Sequence, residues 1–180
     1  DEQAEALHNI EIQGIWLERL VQKMLRLLTI NHEISISEIS VNDLLEQVRA
    51  STEASLREKG IQLMVTCEAE TILGDIDLLQ SAVVNLVDNA AKASQPRQQV
   101  SVRAYENVIE VSDCGKGIPS DALEHITEPF FMVDKSRSKK LGGVGLGLAL
   151  VNEIVQAHNA KLEVESIEGS GTAVRIRFQQ

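Results

Sequence analysis

One hundred and eighty residues suit a single compact domain, or one domain with a short appendage. Apolar residues make up 43% and aromatic ones only 3%, so the chain can build a core and that core must be aliphatic. The formal charge of −10, from 27 acidic against 17 basic residues, repels nucleic-acid phosphate and argues against a general DNA- or RNA-binding role. Cys67 and Cys114 have no metal-ligand spacing and read as reduced, small buried side chains of an intracellular protein. The N-terminus is acidic and polar, unlike a signal peptide. The longest apolar run falls far short of the ~20 residues a membrane helix needs. The chain reads as soluble, which leaves room for a membrane-attached parent.

Residues 1 to about 30 read as one long amphipathic helix, with Leu7, Ile10, Leu17, Leu20, Val21, Met24, Leu27 and Leu28 at helical spacing. Ile10, Leu17 and Met24 lie seven apart, as in a coiled-coil seam. Such a stripe must be buried against a partner helix or folded back onto the main domain. A strand is expected at 34–40. Asn42 then caps a helix to about Lys59, which Gly60 ends. Ile61–Cys67 reads as a strand, and Gly74-Asp75 precedes a helix to about Ser94. Gln99–Tyr105 and Val108–Ser112 form a hairpin around Glu106-Asn107. A short helix is expected near Ser120–Ile126, irregular chain over 127–145, and a helix over 146–157. Lys161–Ser166 and Thr172–Phe178 close the chain as a second hairpin. The pattern predicts an α+β fold, a mixed or antiparallel sheet with helices on one face.

Three stretches and a glycine cluster carry chemistry. In VVNLVDNAAKAS, Leu79, Val83, Leu86 and Ala90 line one helix face, while Asn85, Asp88, Asn89 and Lys92 share another. Asn is unfavourable inside a helix, so two on one stripe suggest more than a solvated face. Asn oxygens can ligate Mg²⁺ and Lys can meet phosphate. Next, Asp113 ends a strand and is followed by Gly115 and Gly117. A strand-end carboxylate can take an exocyclic amine, and the glycines let a ring pass the backbone; an Asx-capped turn is the alternative. Third, Phe130 and Phe131 anchor a loop whose residues 135–140 include four basic ones, a local cationic patch that fits a polyphosphate. Last, Gly142, Gly143, Gly145 and Gly147 run into an apolar helix. That pattern is either a flexible turn or a phosphate-binding loop at a helix N-terminus.

In this order the stretches resemble the four boxes of the sensor histidine kinase ATP-binding domain, within the superfamily that also includes gyrase, Hsp90 and MutL. Asn85–Asn89 with Lys92 resembles the N box, Asp113–Gly117 the G1 box, Glu128–Phe131 the F box and Gly142–Gly147 the G2 box. The match covers roughly residues 40–178. The first helix is similar to the second helix of the family's dimerisation hairpin. The resemblance implies a two-layer α/β sandwich of the Bergerat type over 34–180, preceded by a partial dimerisation helix over 1–33.

The same resemblance implies ATP and Mg²⁺ as ligands. Asn89 would coordinate Mg²⁺ and Lys92 would contact phosphate oxygens. Asp113 would take the adenine amino group, with Gly115 and Gly117 giving the ring room. Phe130 or Phe131 would anchor the lid, Arg137 or a neighbouring lysine would meet the γ-phosphate, and Gly143, Gly145 and Gly147 would close over the phosphates. Asn85 stands where the ATP-hydrolysing relatives carry a Glu base, and an amide takes no proton from water at neutral pH. The implied activity is γ-phosphoryl transfer to a histidine outside this chain, for relay to a response regulator in the cytoplasm, by a parent that dimerises through the first helix. The alternatives are an ATPase or clamp of the gyrase–Hsp90 type, and a nucleotide-binding scaffold without transfer. One departure stands out. None of His8, His32, His125 and His158 has the downstream proline of the family's phosphoacceptor motif, and His32-Glu33 is only its nearest imitation.

Overall fold

The computed structural model describes residues 14, 17, 18, 20–25, 30, 34–133 and 144–179. Strand β1 (Ser37–Ser40) runs directly into helix α1 (Val41–Glu58). Ser40, rather than the expected Asn42, is the cap, and its side chain accepts the Asp43 N–H at 3.3 Å. The cap falls where extended backbone turns helical, and β1 holds Ser40 extended (φ −69°, ψ 121°). Gly60, at φ +68°, follows the helix as expected.

Strands β2 (Gln62–Cys67) and β3 (Thr71–Gly74) come next. The unforeseen β3 pairs antiparallel with β1, from Ser37↔Gly74 to Ser40↔Thr71, in a separate two-stranded sheet. Helix α2 (Ile76–Ala93) is capped by Asp75, whose carboxylate accepts the Asp77 and Leu78 N–H groups at 3.1 Å. Strands β4 (Gln99–Tyr105) and β5 (Val108–Asp113) form the first expected hairpin. Residues 120–127 form successive turns closed by i→i+3 bonds, such as Ala122 N–H to the Pro119 carbonyl, rather than the expected short helix. Helix α3 (Gly147–Ala157), β6 (Lys161–Ile167) and β7 (Gly171–Arg177) complete the chain.

The large sheet has the order β2-β4-β5-β7-β6, with β2–β4 parallel and the other pairs antiparallel. Its pleat sends Val100, Val102, Ala104, Ile109, Val111 and Ile176 into one hydrophobic cluster with the helices. Leu44, Leu45 and Val48 of α1, Leu79, Val83 and Leu86 of α2, and Leu150 and Ile154 of α3 fill the other side of that cluster. Among the described residues the cluster is aliphatic except for Phe178. On the alternate positions of the sheet, Arg175 pairs with Glu110 (2.5 Å) and Glu165 (2.9 Å), and Arg177 with Glu163 (3.3 Å). The sheet is therefore two-faced, apolar toward the helices and ionic on the opposite side.

His158 ties the layers together. Its Nε2 accepts the Asp75 N–H at 2.9 Å, so the ring proton sits on Nδ1 and is donated to the Ile154 carbonyl at 2.7 Å. This joins the end of α3 to the start of α2. The cysteines depart from expectation: Cys67 is only half-buried and Cys114 is exposed, because it lies on the loop leaving β5. Among the described N-terminal residues, 14, 17, 18 and 20–25 are helical, and Leu17, Val21, Met24 and Leu25 are exposed. Ile30 is buried in the main cluster. The rest of the expected first helix, with His8 and His32, lies outside the described residues. No described helix is long and apolar enough to cross a membrane. Leu150 is 1% exposed at the junction of α3 and the sheet. Leu150→Ala should cost about 2–5 kcal/mol in denaturant unfolding, and a loss under about 1 kcal/mol would contradict the packing described.

Candidate functional site

Helix α2 has two faces, and its polar face walls a cavity of about 710 Å³. Asn85, Asp88, Asn89 and Lys92 all line it, as the helical spacing predicted. The Asn85 side chain is fixed at both ends. Its Nδ2 donates to the Ser81 carbonyl at 2.7 Å, and its Oδ1 accepts from the Lys23 ammonium at 2.7 Å. Asp88 and Lys92 stand 3.9 Å apart, one helical turn from each other. Asn89 is exposed to the cavity.

The start of α3 meets this stripe. A Cβ at Gly147 would come to 3.4 Å from the Asn89 Oδ1 and Nδ2 and 3.5 Å from the Asn85 Oδ1. Leu146, at the helix N-cap, makes no side-chain cap bond, so the first N–H groups of α3 are not capped by it. The structure thus brings the predicted Gly147 against the predicted Asn85 and Asn89.

At the other end of the cavity stands Asp113, the last residue of β5. Its Oδ1 accepts the Gly115 N–H at 2.8 Å. Gly115 is pressed against the end of α2, where any Cβ would strike the Ala93 carbonyl. Gly117 has φ +66°, and a Cβ there would strike the Ile167 carbonyl. The β6–β7 hairpin buttresses this loop: Ser166 Oγ accepts the Ile118 N–H at 2.8 Å, and Gly169 N–H donates to the Lys116 carbonyl at 2.7 Å. Sequence reasoning read that hairpin only as a fold element. The site also takes Thr172 and Val174 from it. Their only signal in the sequence was strand alternation, which does not name a neighbour across the sheet.

The two phenylalanines divide. Phe131 lines the cavity, with its ring 5.7 Å from that of His125, whereas Phe130 is exposed at φ +67°. Phe130 N–H donates to the Gly145 carbonyl at 2.9 Å, so the stretch before the glycine cluster is pinned to one of its glycines. Arg137 and Gly143, with the rest of residues 134–143, lie outside the described residues. No cluster of three or more His, Cys, Asp or Glu side chains among the described residues could hold a metal. Asn89 offers one neutral oxygen, which suits an Mg²⁺ ion that takes most of its ligands from phosphates and water.

Residues 74–180 match the model of the family described as histidine kinase-, DNA gyrase B- and HSP90-like ATPase. Over its full length the chain is 29% identical to the sensor histidine kinase YkoH of Bacillus subtilis (strain 168), of which it spans 40%. It is 32% identical, over 88% of its length, to the sensor protein kinase WalK of Staphylococcus saprophyticus, spanning 27% of that protein. The chain therefore covers less than half of these curated relatives. Among solved structures it resembles full-length ShkA in complex with AMPPNP, with a TM-score of 0.81 at 26% identity, over 98% of this chain and 38% of that one.

Burial raises the pKa of Asp113 above the ordinary carboxylate value, and the backbone N–H groups of Gly115 and Thr172 only partly oppose it. A raised native pKa means that ionisation disfavours the folded state. The Asp113 contribution to stability is therefore complete below the unfolded value of ~3.9 and declines as pH rises through the native value. Asp113→Asn cannot ionise and lacks that decline. Its urea midpoint relative to the unsubstituted chain should shift in its favour as pH rises through this window, and a difference independent of pH would contradict the desolvation.

Proposed function

This chain belongs to the histidine kinase-, DNA gyrase B- and HSP90-like ATPase family, and on that premise we propose that it is the ATP-binding catalytic part of a sensor histidine kinase. Its reaction is transfer of the γ-phosphoryl group from ATP to a histidine nitrogen elsewhere in the parent protein, with ADP leaving, for relay to a response regulator. The observation that carries this reading is the convergence of Asn89, Lys92, Asp113, Gly117 and Gly147 on one cavity.

Asp113 accepts the exocyclic amine of adenine at the end of the cavity that Gly117 also lines, while Gly115 lets the loop pack against the Ala93 carbonyl. Asn89 and Lys92 hold the polyphosphate end, with Gly147 and the start of α3 beside them. Asn89 is the side chain that would hold Mg²⁺, which when bound would offset the phosphate charge. Catalysis of such a transfer is chiefly positioning and charge neutralisation. The Asn85 amide is no base, and its oxygen already accepts an ammonium proton, which supports relay over steady hydrolysis. The exposed Leu17, Val21, Met24 and Leu25 support dimerisation of the parent through the N-terminal helix, and a relay to a response regulator would put the catalytic part in the cytoplasm.

Calorimetric titration should show Mg·ATP binding that Asp113→Asn weakens by about tenfold or more and that omission of Mg²⁺ also weakens. Asn89→Ala should abolish phosphorylation of an added acceptor hairpin from the parent protein. No binding by the folded chain would overturn the reading. Tight binding without any transfer would leave a nucleotide-binding scaffold.

A further inference from the structure

Lys23 belongs to the N-terminal helical residues, yet it lines the cavity and donates to Asn85 Oδ1 at 2.7 Å, 62 positions along the chain. The contact has a cause on α2. Ser81 holds the Asn85 Nδ2, so the carboxamide oxygen is the end turned to the cavity, and an oxygen there selects a cation. The same oxygen lies 3.5 Å from the Cβ position of Gly147, which places the ammonium at the end of the cavity formed by Asn85, Asn89 and the start of α3. Among the described residues, the side chains named at that end carry little net charge. Asn85 and Asn89 are neutral, and Lys92 stands beside Asp88, which offsets it. Lys116 lies next to Gly115 at the Asp113 end.

We propose that Lys23 is a binding residue of the nucleotide site, an ammonium delivered by the N-terminal helix to the polyphosphate of ATP. The inference rests on the nucleotide reading above and adds a residue from outside the family's four boxes. An ammonium in a part-buried cleft attracts a ligand carrying several negative charges more strongly than one at the surface. It has no such attraction for the uncharged adenosine. Because the cation rides on the N-terminal helix, a shift of that helix changes the affinity for ATP. By linkage, ATP favours the helix position in which Lys23 reaches Asn85.

The test compares ATP, ADP and adenosine, titrated in Mg²⁺ buffer into the unsubstituted chain, Lys23→Met and Lys23→Arg. Lys23→Met should weaken ATP by about tenfold, ADP less, and adenosine not at all, while Lys23→Arg keeps most of the ATP affinity. A Lys23 that merely steadied the fold would weaken all three ligands together, and that result overturns the proposal. So does ATP binding that Lys23→Met leaves unchanged or tightens; the last would make the ammonium a plug. Unchanged adenosine binding also reports that the variant is folded. If the unsubstituted chain binds none of the three, the nucleotide reading itself fails and this inference with it. If it binds ATP and Lys23→Met binds it equally, only the inference fails.

Discussion

Helix α2 must fill the core and wall the cavity at once, and the rest of the molecule follows from how it does both. Leu79, Val83, Leu86 and Val87 are each at most 2% exposed. Burying each contributes about 1.5–3 kcal/mol. Asn and Asp inside a helix cost only about 0.7 kcal/mol each against Ala. The apolar face thus outweighs the polar one several-fold, and the helix carries Asn85, Asp88 and Asn89 without needing them for its own stability. Asp75 caps its start, and His158 links that start to the end of α3. The stripe is therefore presented from a body with little freedom to retreat.

The Asp113 end shows the converse balance. Here close approach replaces bulk: Gly115 lies against the Ala93 carbonyl and Gly117 against the Ile167 carbonyl. The β6–β7 hairpin, last in sequence, holds the loop that follows β5 through Ser166 and Gly169. Burial makes the Asp113 carboxylate costly to ionise in the folded chain. A ligand that donates a hydrogen bond to it would recover part of that cost.

Long periodic elements were legible in the sequence. Helices α1, α2 and α3 and the two hairpins have enough repeats for the period to stand out, and the stripe on α2 follows from helical spacing alone. Strand β3 was not legible, since it offers only Ile72 and Leu73 between a threonine and a glycine. The cap moved from Asn42 to Ser40 because β1 runs to the helix without a loop, a property of pairing with β3 rather than of local residue preference. Cys114 is exposed because the loop beyond β5 stays at the surface, whatever the usual habit of cysteine. At the site, Asn89, Lys92, Asp113, Gly117, Gly145 and Gly147 were visible as motif, and the structure gathers them on one cavity, whereas Gly115 packs on Ala93. Lys23 and Thr172 were invisible, because each reaches the cavity through tertiary placement that no local spacing encodes.

Asn85 joins these threads. Its amide is held by Ser81 and Lys23, one partner from its own helix and one from the N-terminal segment. The resemblance implies a glutamate at this position in the relatives that hydrolyse ATP. In this chain a carboxylate there would face the Lys23 ammonium, and an opposite charge at that range favours the ionised form and lowers its pKa. A base so stabilised takes a proton from water poorly. The neighbourhood of Lys23 would therefore make a poor base of a carboxylate at this position. Under the proposed reading, the cation that would lower the pKa of a carboxylate at position 85 is, beside an amide, left to attract the phosphates.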